Sequence, residues 1–218
     1  MDIRYFLETR LTFIEHFYEN AAHPFNERKR KIEAEQEPFV PAYSEDDEPP
    51  FLAEWLEADD SLQVLGRSCV SMLAASLHVY FKTWERQLGK PVDKSLAATF
   101  KNRGWFAGYK LYFDRNFGIK FADSGCNLAL LEEIVLARNR VQHPDSITTQ
   151  HSHYSDADLR RLPSPFFIDD RELELLAGGK GRDANWLLPP AIHVTTDRLA
   201  SALAEIRRFA EWLETTDH

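Results

Sequence analysis

Leu62, Leu65, Cys69, Met72, Leu73, Leu77, Tyr80, Phe81, Trp84 and Leu88 recur at three- and four-residue spacing. That period is the signature of a helix with one broad apolar face. It predicts a helix over 61–88. Gly89 closes it and Pro91 follows, the order in which helices stop. A stripe this wide has to be covered by other helices, so the chain is expected to be a bundle.

The rest of the pattern supplies the partners. Ile3, Phe6, Leu7, Leu11, Phe13, Ile14, Phe17 and Tyr18 predict a helix over 2–35, with a break at Ala22-His23-Pro24 because a residue before proline avoids helical geometry. Residues 37–50 hold four prolines and an acidic run, and read as a solvated crossover. A short helix around Phe51–Ala58 follows. A third long helix is expected over 94–117, ended by Gly118, and a fourth over 124–143. From 163 to 194 prolines and short extended runs suggest a small β-hairpin or ordered loop, with Gly178–Gly181 as its turn. A last helix starts at Thr195 or Thr196, with Leu199, Leu203, Ile206, Phe209, Ala210 and Leu213 on its apolar face. The expected class is all-α: one domain over 1–218, an up-and-down bundle with a small insertion before its C-terminal helix.

Composition narrows the function. The 218 residues carry a formal charge of -9, which argues against an extended nucleic-acid platform but allows a local basic pocket. The apolar runs read as too short to cross a bilayer, and the charged start Met1-Asp2-Ile3-Arg4 is unlike a signal peptide. Cys69 and Cys126 read as small side chains inside helices, not as a disulfide. A cytoplasmic location is expected.

The strongest chemical signal is Arg138-Asn139-Arg140-Val141-Gln142-His143, followed by Pro144. On an ideal helix each residue turns about 100°. With Arg138 at zero, Leu131, Ile134, Val135 and Val141 all fall within about 60° of it. Arg138 therefore sits in an apolar stripe, where a charge needs a partner or an interface. Arg140 falls on the opposite face beside Glu133, and reads as solvated. Asn139 and His143 are four apart, so the amide can reach the imidazole and fix its tautomer. Arg138 and His143 point about 140° apart, too far for one copy to aim both at one phosphate.

Arg138, Asn139 and His143, at the end of the penultimate long helix of a bundle, resemble the active-site motif of HEPN ribonucleases. The resemblance implies a symmetric homodimer whose two motifs form one composite RNase cleft. It implies metal-independent chemistry without a cofactor, in which a histidine moves protons at the ribose 2′-OH and leaving oxygen while arginines hold the phosphate. It also implies a setting in toxin–antitoxin or antiviral defence, with RNA as substrate and an antitoxin or other regulatory protein as partner. Some relatives carry a tyrosine two residues after the histidine; here that position is Asp145, which departs from that mode of control.

Other candidates are secondary. Lys101 and Arg103, near Trp105 and Phe106, suit phosphate contacts beside a stacking surface, although the aromatics also fit core packing. Arg28–Lys31 reads as a solvated basic face. His151 and His153 have the spacing of metal ligands on a strand, but their polar surroundings read as a surface loop and no metal site is assigned. The competing reading is a non-catalytic module of the same fold that binds nucleotide, nucleic acid or protein. In it Arg138 serves a dimer or partner interface. A third reading is coincidence, with Arg138 paired to a buried carboxylate such as Glu132 or Glu133 of a neighbouring chain.

Overall fold

The apolar stripe does form the central helix of the molecule. A computed structural model describes residues 2–41, 48–143, 151–177 and 189–216. The expected turn at Gly178–Gly181, the densest acids of the crossover, and Pro144 and Asp145 after the motif lie outside the described residues. The fold is all-α. In chain order the helices are α1 (Ile3–Glu33), α2 (Leu52–Leu88), α3 (Lys94–Arg103), α4 (Trp105–Phe117), α5 (Leu128–Gln142), α6 (Asp156–Arg161), α7 (Asp170–Ala177) and α8 (Thr196–Thr215). A 3₁₀ turn at Phe121–Ser124 joins α4 to α5.

α2 is longer than its stripe. The expected short helix over 51–58 and the helix over 61–88 are one, because Ala58 is fully buried while Asp59 and Glu57 pair with Lys29 and Arg28 at the end of α1. The basic run is thus partly consumed by ion pairs within the chain. α2 is also long and apolar enough to span a membrane by length and composition, contrary to the reading of its apolar runs. Of its most apolar window, 61% is buried inside the bundle, as suits a core helix.

Pro24 does not interrupt α1. It is exposed, so the Asn20 carbonyl that loses its partner faces water, while Ala22 and Phe25 on either side pack into the core. Arg4 pairs with Glu211, and Arg207 with Glu8 and Glu15, which lays α8 antiparallel against α1. Phe81 of α2 is the hub of the core, touching the rings of Phe106, Tyr109, Phe113, Phe121 and Phe209. Such pairs add to the area they bury.

The helix expected over 94–117 is two helices. Gly104 has φ 84°, which a side chain rarely adopts, and there the chain folds back. α3 then lies on α4 with the Phe100 ring directly over Gly108; a Cβ there would be 2.5 Å from that ring. Gly108→Ala should therefore destabilise the protein by about 1–3 kcal/mol through overpacking, although alanine is the better helix former. Urea unfolding reads the sign, and a stabilised variant would refute the close packing.

Among the described residues of 163–194 no hairpin strand pair forms. Glu172–Leu176 belongs to α7, whose first turn is held by Asp169 accepting from the Arg171 N–H. Among the described residues the only β pairing is an isolated bridge between His153 and Ala191. Cys126 also falls outside the helix expected for it, in the turn before α5, whereas Cys69 is buried in α2. Thr195 caps α8 as expected, accepting from the Arg198 N–H.

Candidate functional site at the end of α5

α5 starts at Asn127, whose side chain caps the Leu130 N–H, and ends at Gln142. His143 is its C-cap: the backbone N–H still bonds to the Asn139 carbonyl at 3.1 Å, and the imidazole is exposed. Leu131 and Ile134 are fully buried and Val135 nearly so, as the stripe requires.

The face opposite Arg138 is not a wet face. Glu133 is only 2% exposed. Its carboxylate accepts from the Tyr154 hydroxyl at 2.6 Å and from the backbone N–H groups of Phe166 and Phe167 at 2.8 Å. Tyr154, expected in a polar loop, is fully buried. Arg140 on the same face donates Nε to Asp158 and Nη2 to Ser155, both at 2.7 Å. Burial alone would raise the Asp158 carboxyl, but Arg140 and the Ser155 donors hold it below its ordinary range. Residues 154–167 thus fold over the side of α5 that periodicity marks as solvated.

The result is a cleft of about 370 Å³ lined by Arg103, Asn139, Arg140, His143, Asp158 and Arg161. Arg161 pairs with Glu132 at 3.0 Å, so two of the three arginines already have carboxylate partners. Arg103 makes no ion pair among the described residues. Lys101 is exposed on α3 but does not line the cleft.

Arg138 lies elsewhere. It is half-buried, it does not line the cleft, and its Nη1 donates to Asn139 Oδ1 at 2.9 Å. Asn139 therefore turns its carbonyl oxygen to Arg138, not to the His143 imidazole. The Arg138 charge reaches His78 of α2, whose ring stacks on Trp105 at 4.6 Å with planes 13° apart. Burial pushes the His78 imidazole below its ordinary value, and Lys82 and Arg138 add to the effect. Of Arg138 and His143, only His143 lines the cleft.

His78 and the α6 contributions were missed at the sequence level. His78 hides in the apolar stripe of α2. α6 had a legible sign: Ser155 and Asp158 form a capping box. His151 and His153 lie with ring centroids 6.4 Å apart, and His151 Nε2 is 3.7 Å from Asp60. Among the described residues no group of three His, Cys, Asp or Glu side chains is arranged to hold a metal ion. Comparison with protein-family models, with curated proteins and with solved structures finds no match.

Proposed function

We propose that this chain is a metal-independent endoribonuclease of HEPN type that acts as a homodimer. The observation that carries the reading is one cleft lined by exposed His143 and by Arg103, which makes no ion pair among the described residues, with Arg140 and Arg161 alongside. An imidazole open to substrate can take the 2′-OH proton or protonate the leaving 5′-oxygen. A guanidinium in the same cleft can hold the phosphate and stabilise the charge that develops there. The expected products are a 2′,3′-cyclic phosphate and a 5′-OH.

Arg138 does not line this cleft within one chain, so the composite site draws it from a second copy. An apolar surface suits that copy. On α1, Phe6 is 54% and Phe13 60% exposed, Phe17 lies beside them, and the Phe13 and Phe17 rings stack at 6.1 Å. Val64, Ser68, Ala75 and Val79 form an exposed stripe of small and apolar side chains on α2. Phe13→Asp with Phe17→Asp should weaken self-association about 100-fold or more, ~2.7 kcal/mol, without changing helicity. Sedimentation of variant and wild type checks this; a wild-type monomer removes the composite site.

The test of chemistry is incubation of purified protein with a mixed single-stranded RNA pool and EDTA, with the product ends analysed. An untouched pool refutes the enzyme. The second reading, a non-catalytic RNA- or protein-binding module, is favoured by the closed Arg140–Asp158 and Arg161–Glu132 pairs. It predicts RNA or partner binding without cleavage. Toxin–antitoxin or defence, a cytoplasmic setting and an antitoxin partner rest on the family resemblance.

A further inference from the structure

The cleft at His143 does not end at Arg103. A second cleft of about 680 Å³ continues from it along α4, and the two share Arg103, Ala107, Glu132 and Arg161. Ala107, Lys110, Leu111 and Asp114 line the second cleft, a spacing that turns one face of α4 into it. That face alone runs about 10 Å along the helix. Lys120, just beyond α4, closes the far end.

Charge distinguishes this groove from the rest of the surface. The chain as a whole carries -9. Within the groove Arg140 and Arg161 are balanced by Asp158 and Glu132, which leaves Arg103, Lys110 and Lys120 against Asp114 alone. Lys110 and Lys120 are exposed, and among the described residues neither makes an ion pair. Unpaired cations spaced along a groove, on a chain otherwise strongly acidic, suit a polyanion that enters lengthwise. Clefts of this volume admit a single strand of a few nucleotides and are on the scale of small-ligand sites.

Resting on the ribonuclease reading of His143, we propose that the groove from Arg103 past Lys110 to Lys120 carries the RNA strand adjoining the scissile phosphate. Lys110 and Lys120 contact its backbone. They are positioning residues: they set affinity for longer substrates and take no part in bond breaking. The contacts are to phosphate, so they carry no base preference.

The test uses the 218-residue protein and its Lys110→Glu/Lys120→Glu double variant. Both positions are exposed, so the fold should be kept, which circular dichroism verifies. Fluorescence anisotropy with a labelled eight-nucleotide single-stranded DNA, which lacks the 2′-OH and is not cleaved, reads binding. The variant should bind about tenfold or more weakly near 0.1 M salt, and the slope of log affinity against log salt should fall by roughly 1.4, about 0.7 per lost phosphate contact. Cleavage of a dinucleotide, which fills only the His143 cleft, should keep its kcat/KM, while the KM for a long RNA rises. Unchanged oligonucleotide affinity and slope overturn the groove even if RNA is cleaved. Weakened binding of the strand by a protein that cleaves nothing upholds the groove and fails the ribonuclease. Capture of a poly-glutamate peptide in preference to the oligonucleotide overturns the proposal in favour of an acidic protein partner.

Discussion

Glu133→Ala is expected to remove about 3–5 kcal/mol of folding stability, the cost of breaking a buried charged network. The carboxylate is almost fully enclosed and is the common acceptor for the Tyr154 hydroxyl and for the Phe166 and Phe167 N–H groups. Removing it strands the Phe166 and Phe167 N–H groups, each costing about 1–3 kcal/mol, while the Tyr154 hydroxyl keeps the Phe167 carbonyl as an acceptor at 3.1 Å. Most domains have only about 5–15 kcal/mol in total. At roughly 2–4 °C per kcal/mol for a chain of this size, the melting temperature should fall by about 10 °C. Tyr154→Phe removes one donor and leaves the backbone ones satisfied, so it should cost about 1 kcal/mol. Glu133→Gln keeps the shape but turns one acceptor into a donor facing an N–H, and should fall between the two. Thermal unfolding by circular dichroism ranks the three. A Glu133→Ala protein as stable as Tyr154→Phe would mean that 154–167 is not anchored on α5.

This anchor decides what the sequence could and could not disclose. The helices that build the core were legible because their apolar period is long and their ends are marked: Gly89 and Gly118 stop α2 and α4 in left-handed geometry, and Thr195 caps α8. Breaks were legible only where local chemistry rules. At Pro24, and across the gap expected between 58 and 61, packing carries the helix on. At Gly104 a single residue with φ 84° divides a pattern that looks continuous. The site shows the same division. Helical angles place Arg138 and His143 on different sides of α5, and only His143 lines the cleft. Angles could not show that 154–167 covers the Glu133 and Arg140 face, because that contact joins residues with no shared period. For the same reason Arg161 and Asp158 entered the cleft unannounced, and Arg140 changed from a solvated side chain to one pinned by Ser155 and Asp158.

His143→Ala should lower RNA cleavage by about 10²–10⁴-fold, the usual worth of a positioned acid–base group. The side chain is exposed and the residue caps α5 through its backbone, so melting should hardly change. That separates it from Glu133→Ala, where activity and fold fall together. Arg103→Ala should cost about 10²–10³-fold by removing a cation that shares the cleft with His143. Arg138→Ala is the discriminating case. It does not line the cleft of its own chain, so its loss abolishes cleavage only if a second copy brings it to the phosphate. If each site takes Arg138 from one protomer and His143 from the other, the two inactive variants should complement. After unfolding and refolding together in equal amounts, half the dimers are mixed, and each mixed dimer has one site with both residues intact. About a quarter of wild-type activity should return, from two preparations that are separately inert. Recovery of that size would be hard to obtain any other way. No recovery, with mixed dimers confirmed by differential tagging, places Arg138 and His143 in the same protomer's chemistry or removes Arg138 from it.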